Sequence, residues 1–324
     1  MKKRKLGSTE LEFTTIGFGS WAIGGGGWKA GWGPQDDNDS IAAIREAVSA
    51  GINWIDTAAV YGLGHSEEVV ARALRDVPRS ERPYVATKCG RNWSSDGSLR
   101  GDPSAGRIEQ EITDSLKRLD VETIDLYQIH WPDPDEQIEE GWEVIAKHVR
   151  AGTIRYAGVC NFSVAQLDRI HAIHPVASLQ PPYSMLRREF ESELLPYCRT
   201  NSIGVVAYSP MQKGLLTGAI TKERVANFPE SDHRRRDPMF NEPKFSAISA
   251  FVEKLGAIAA EYDRTAAQLA LAWVLRLPEV TSAIAGARRA GQITETAQAG
   301  DWTVPDDALQ RIEPLLEQLA KDLA

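Results

Sequence analysis

Cysteine is scarce in this chain of 324 residues: only Cys89, Cys160 and Cys198 occur, an odd number without CxxC spacing. That excludes a disulfide framework and a zinc ribbon, and it fits reduced thiols in a reducing compartment. Long apolar runs are missing too. The most apolar stretch, 266–275, is interrupted by Gln268 and stopped by Arg276, far short of the roughly 20 residues a membrane helix needs. Basic charge is in the minority, with 37 Lys and Arg against 45 Asp and Glu for a net charge of -8. The electrostatic footprint of a nucleic-acid binder is therefore absent, and the one basic cluster, Arg234 to Arg236, is too short to change that. The chain opens on basic residues followed by polar ones rather than an apolar h-region, so no secretory signal is predicted and a cytoplasmic location is expected. With no internal repeat, low-complexity tract or linker, and a length within the range of single α/β barrels, one domain over 1–324 is expected.

What the chain does have is alternation. Short apolar runs rich in β-branched residues recur at 16–20, 52–56, 84–88, 124–130, 154–159, 177–180, 203–208 and 281–285. Several are nearly continuous in Val, Ile, Leu and Ala, as expected of parallel strands covered on both faces. Helical patterns lie between them. Ser40 is placed to cap a helix whose Ile41, Ile44 and Val48 share a face, with Gly51 to end it; Ile108, Ile112, Leu116 and Leu119 repeat the pattern after the third strand. Eight strands joined by helices predict a closed (β/α)8 TIM barrel of the α/β class, with an open doubly wound sheet as the alternative. An N-terminal β-hairpin over 4–15, turning at Gly7-Ser8-Thr9, and an appended C-terminal helix at 306–319 complete the expectation. The longest irregular stretch, 210–243, follows the seventh strand, where barrel enzymes keep ligand loops.

The residues that end those strands are polar. Asp56 closes the second, Lys88 the third, His130 the fourth, Gln180 the sixth and Tyr208 the seventh; Asn161 follows the fifth, and Tyr61 lies five residues beyond Asp56. Singly, each is an ordinary strand-end polar group. In a barrel they ring one mouth. A tyrosine is a weak acid at neutral pH, and an adjacent ammonium lowers its pKa by stabilising the phenolate; Lys88 is the expected ammonium. Asp56 would hold Lys88 charged and oriented, and the His130 imidazole can donate to a substrate oxygen. Such a constellation suits reduction of a carbonyl whose oxygen becomes an alkoxide. The other histidines, His65, His148, His171, His174 and His233, have no catalytic company in sequence, and no metal site is predicted. Gly17-Phe-Gly19-Ser-Trp-Ala22 matches the dinucleotide fingerprint, but that fingerprint needs a helix starting inside it. Gly24 to Gly27 and Pro34 forbid one here, so the segment reads as a loop lining an apolar pocket.

Gly51-Ile-Asn-Trp-Ile-Asp56-Thr-Ala-Ala-Val-Tyr61-Gly, Ala86-Thr-Lys88 and Leu126-Tyr-Gln-Ile-His130 together resemble the aldo-keto reductases, from about Leu6 to about Trp302. Several details are similar to the bacterial general-stress and sugar-reductase branch, itself similar to potassium-channel β subunits. The resemblance implies Asp56, Tyr61, Lys88 and His130 as a catalytic tetrad and NADPH, with NADH possible, as cofactor. It implies cofactor contacts from Trp21, Asp56, Asn161, Gln180 and the aromatic Tyr208, from a pyrophosphate loop with Ser209, Pro210, Met211 and Gly214, and from an adenosine site with Gly286, Arg288, Gln292 and Glu295. A guanidinium can grip a 2′-phosphate, so Arg288 favours NADPH, whereas an arginine stacked on adenine would be indifferent. Cys160 stands where the family has Ser, and Thr296 where it has Asn.

The implied activity is reversible reduction of an aldehyde or ketone, hydride passing from nicotinamide C4 to the carbonyl carbon while Tyr61 protonates the oxygen. The alternatives are a non-catalytic regulatory subunit that retains its cofactor and a Schiff-base aldolase using Lys88. The expected partner is a small-molecule carbonyl compound, without nucleic acid or membrane; oligomeric state is open. Trp21, Trp28, Trp32, Trp93 and Trp131, with Tyr61 and His130, are candidates to line the substrate pocket, rim packing being the alternative for the tryptophans.

Overall fold

The short apolar runs can bury both faces only between one another and the helices that follow them, and they do so. In the computed structural model, which describes residues 1–323, strands β1 (Lys3–Lys5) and β2 (Glu12–Thr14) pair antiparallel as the predicted hairpin. Eight strands form the closed barrel: β3 (Ile16–Gly19), β4 (Trp54–Asp56), β5 (Tyr84–Cys89), β8 (Ile124–Ile129), β9 (Ile154–Cys160), β10 (Ser178–Gln180), β11 (Gly204–Ala207) and β12 (Val280–Gly286). Each pairs parallel with its neighbour, and β12 returns to β3 to close the ring. The open-sheet alternative is thereby excluded. A short antiparallel hairpin, β6 (Arg91–Trp93) and β7 (Leu99–Gly101), projects beyond β5.

Helices α1 (Asp37–Ser49), α2 (His65–Leu74), α3 (Ala105–Leu119), α4 (Ile138–Ala151), α5 (Val164–His171), α6 (Leu194–Thr200), α7 (Lys222–Ala226), α8 (Lys244–Ala260), α9 (Ala266–Val274) and α10 (Gln292–Ala297) lie between or beyond the strands. Helix α11 (Asp306–Leu323) is the appended helix, longer than expected. Helix α1 corrects one detail. Its cap is Asp36, whose carboxylate accepts from the Asn38 and Asp39 amides, whereas Ser40 lies inside the first turn and donates to the Asp36 carbonyl at 2.8 Å.

Alternation along each strand divides the core into two layers. Ile55, Val85, Tyr127 and Val205 face the helices and join the main core. Trp54, Ala86, Leu126, Val206 and Ile284 fill the barrel interior, where Leu6, Leu11 and Phe13 of the hairpin plug its lower end. Phe13 stacks on Trp54 with ring centroids 4.6 Å apart. This interior explains the false dinucleotide fingerprint: a Cβ on Gly17 would fall 2.0 Å from the Trp54 ring, and one on Gly19 2.5 Å from Ile284. The two glycines make room for core side chains, and only a 3-10 turn, Trp21–Ile23, follows them.

Candidate active site

Two residues further along the same inward-facing rows, the core gives way to charge. Asp56, the last residue of β4, and Lys88, near the end of β5, are almost fully buried, at 3% and 1% exposure. The Lys88 ammonium donates to both Asp56 oxygens at 2.7 Å and to the Thr57 carbonyl at 3.0 Å, and it approaches the Tyr61 hydroxyl at 3.4 Å. Tyr61 is held in the loop between β4 and α2, where its carbonyl accepts from the Ser66 amide at 3.1 Å. His130 follows β8 directly, its ring edge-on to Tyr61 at 5.7 Å. Four groups spread over the first half of the chain thus meet at the C-terminal mouth of the barrel.

The electrostatics overturn one expectation. Lys88 does not lower the Tyr61 pKa; burial, then the nearby Asp56 carboxylate, holds the phenol well above its ordinary value of 10.0. The physical reason is that burial disfavours the charged phenolate, and the Asp56 carboxylate adds its repulsion. Burial, then Lys88 and Arg91, pushes His130 well below 6.5, so its imidazole is neutral and keeps one N–H to donate. Its Nδ1 is buried without a hydrogen-bond partner among the described residues.

A cavity of about 900 Å³ opens above these groups, near the upper end of the roughly 300–1,000 Å³ of known ligand pockets. Among the residues implicated by sequence, Trp21, Asp56, Tyr61, His130, Asn161, Gln180, Tyr208, Ser209, Pro210, Met211, Gly214, Gly286, Arg288, Gln292 and Glu295 line it, as do Cys160 and Thr296. Lys88 lies behind Tyr61, out of the cavity. Trp28, Trp32 and Trp131 also line it; Trp93 does not. Trp93 sits on β6, packs behind the Trp28 and Tyr61 cluster, and is covered by the Arg107 guanidinium at 5.6 Å. Asn161 adopts a left-handed backbone (φ 65°), donates to the His130 carbonyl at 3.0 Å and accepts from the Tyr208 hydroxyl at 2.9 Å. The Gln180 amide donates to Asp56 at 2.9 Å.

Further cavity residues come from the 210–243 loop expected at this mouth, while Arg91, Leu99 and Arg187 were not foreseen from sequence. Arg91, Leu99, Arg187, Lys213, Arg224, Arg234 and Asp237 all face it. Arg234 is clamped by Asp232 (2.6 and 3.0 Å) and sandwiched between the Trp32 and Phe228 rings at 4.5 and 4.0 Å. This fastens the long loop after β11 to the tryptophan loop after β3. His233 wedges between Trp21 and Trp32, and burial lowers its pKa to about 4. The available signal was the arginine run placed in the ligand loop; its aromatic partners are distant in sequence. Among the described residues no three His, Cys, Asp or Glu side chains converge as a metal site, and no helix is long and apolar enough to cross a membrane.

The barrel carries the buried Asp56–Lys88 pair, the phenol and the imidazole together at its mouth, and the comparisons place the chain. The aldo/keto reductase family model matches residues 15–317. Aldo-keto reductase YhdN of Bacillus subtilis (strain 168) is 38% identical over 99% of this chain and 96% of its own. The NADH-specific methylglyoxal reductase of Escherichia coli (strain K12) is 35% identical over 99% of this chain and 100% of its own. The structure of glycerol dehydrogenase AKR11B4 from Gluconobacter oxydans superposes with a TM-score of 0.87 at 36% identity, covering 98% of this chain and 95% of that one. The chain belongs to the aldo-keto reductase family and is an NAD(P)H-dependent oxidoreductase.

The residues present fit a nicotinamide dinucleotide. After Tyr208 the backbone turns left-handed at Ser209, Gln212, Lys213, Gly214 and Gly218, and the Ser209–Gly214 part of this tightly turned segment lines the cavity. At the far end Arg288 is buttressed by Gln35 at 2.7 Å, and burial with the like charge of Arg234 pulls its pKa down. Arg187, Arg224 and Arg288 line the same cavity without a carboxylate partner among the described residues, which suits an anionic ligand.

Proposed function

We propose that this protein reduces aldehydes or ketones with NADPH, Tyr61 acting as the general acid. The observation that carries the reading is the Tyr61 hydroxyl, kept protonated by burial, 3.4 Å from the Lys88 ammonium and beside a neutral His130 whose Nδ1 has no protein partner. Bound nicotinamide supplies the hydride. The chain supplies the rest. His130 donates a hydrogen bond to the substrate oxygen and orients it. Tyr61 then gives its proton to the developing alkoxide, a base strong enough to take it from a phenol whose pKa is raised. The phenolate left behind faces Lys88, and Asp56 with the Thr57 carbonyl keeps that ammonium aimed. Asn161 and Gln180 would hold the carboxamide, Tyr208 the ring, the Ser209–Gly214 backbone the pyrophosphate, and Arg288 a 2′-phosphate.

The aldolase alternative is disfavoured by the same geometry. A Schiff base needs a free amine lone pair, and the Lys88 nitrogen is fully engaged with Asp56 and Thr57. Tyr61→Phe tests the proposal: turnover of an aldehyde panel should fall about 10²- to 10⁴-fold, while fluorescence titration still shows NADPH binding more tightly than NADH. Retained turnover would refute the acid assignment, and equal affinities would refute the NADPH preference. Wild-type protein that binds cofactor but turns over no carbonyl would favour the regulatory-subunit reading.

A further inference from the structure

Arg91 lines the same mouth as His130 and Trp131 and takes no proton-transfer step in the chemistry above. It opens strand β6, three residues beyond Lys88. Its backbone is fixed: it pairs with Gly101 across the β6–β7 hairpin, and Gly101 lies so close to the following loop that a Cβ there would fall 1.8 Å from the Asp133 carbonyl oxygen. The guanidinium, by contrast, is barely engaged. It makes no hydrogen bond among the described residues, and its one ionic contact is 3.5 Å to Asp133, a carboxylate 67% exposed to water, although the arginine itself is only 22% exposed.

That is unusual in this molecule. Arg234 is saturated by Asp232, Arg118 bonds Glu67 at 2.6 Å, Arg276 bonds Glu191 and Tyr183, and Arg4 bonds three backbone carbonyls. A guanidinium withdrawn from water with its donor fork open is built to receive an oxyanion. Its field also reaches the reacting end, because Arg91 helps hold His130 neutral. On the same rim Arg187 adds a second cation with no ion pair among the described residues, against the exposed Glu189.

We propose that the mouth holds a site for an anionic substituent of the substrate, with Arg91 as its ligand. The preferred carbonyl compounds then carry a carboxylate or a phosphate besides the reacting carbonyl. The inference rests on the carbonyl-reductase reading, and matched substrate pairs test it. With NADPH, kcat and KM are measured for 4-carboxybenzaldehyde against methyl 4-formylbenzoate, and for glyceraldehyde 3-phosphate against glyceraldehyde. Wild-type protein should favour the charged member of at least one pair, and the pair concerned tells carboxylate from phosphate. Arg91→Gln should cut kcat/KM for that charged member roughly 10- to 100-fold, chiefly through KM, and leave its neutral partner nearly unchanged; Arg91→Lys should restore part of the loss. Equal losses on both members, or a wild-type preference for the neutral member of both pairs, would overturn the proposal. Turnover of none of the four would instead overturn the reductase reading. Anion binding is then read from tryptophan-fluorescence titration with benzoate and with inorganic phosphate: saturation lost in Arg91→Gln supports the site, and titrations unaffected by the substitution dismiss it.

Discussion

Two buried ion pairs flank strand β5, one on each face. Lys88 points into the barrel and meets Asp56; its neighbour Thr87 points out and donates at 2.6 Å to Glu67, which also accepts from Arg118 at 2.6 Å. Glu67 is fully buried and Asp56 nearly so, and the bond lengths are alike. Burial and bond length therefore do not distinguish the two. What differs is the surroundings. Among the described residues the outer carboxylate meets only a hydroxyl and a guanidinium. The inner ammonium has a phenol at 3.4 Å, and that phenol borders an open cavity with an unpartnered imidazole nitrogen nearby. A reactive pair is recognised by what lies next to it, not by how deep it is.

The contrast makes unequal predictions. The largest effect should come from Lys88→Met, which leaves Asp56 charged and without its cation: turnover should fall about 10²- to 10³-fold, and denaturant unfolding should register a loss of about 3–5 kcal/mol. Glu67→Gln should be smaller and of another kind, costing about 1–3 kcal/mol of stability with kcat essentially kept. If it damaged turnover as deeply as Lys88→Met, the outer pair would belong to the machinery and the contrast would dissolve. The smallest effect concerns pH. Between pH 6.5 and 10 neither His130 nor Tyr61 titrates in the folded protein, so neither should inflect the rate of reduction there. Stability behaves differently. A histidine whose folded pKa is depressed takes up its proton on unfolding once the pH drops below 6.5, so stability should fall on that side by up to about 1.4 kcal/mol per pH unit for each such group. His130→Gln should flatten the slope in pH-dependent unfolding; an unchanged slope would remove His130 from its cause.

Much of this was legible in the chain. The eight barrel strands show themselves because parallel strands buried on both faces must be nearly continuous in apolar residues, and the polar residues that close five of them are conspicuous against that pattern. The β6–β7 hairpin was not legible: Arg91-Asn-Trp93 and Leu99-Arg-Gly101 carry no apolar alternation, and they pair because the loop after β8 packs against them. Trp93 was misplaced for the same reason, since a tryptophan's residue type does not say which side of a hairpin it covers. The role of Ser40 went to Asp36 because the helix begins a turn earlier than its apolar face.

From the sequence alone came the barrel, its mouth and the identity of the four groups gathered there, because periodicity dictates which residues share a face and strand ends dictate which end they occupy. Only the tertiary structure decided their electrical state and their company. The Tyr61 proton is governed by desolvation and by the nearby Asp56 carboxylate, and the openness of Arg91 by which carboxylates fail to reach it. Both depend on distances between segments far apart in the chain, and local pattern carries no information about those distances.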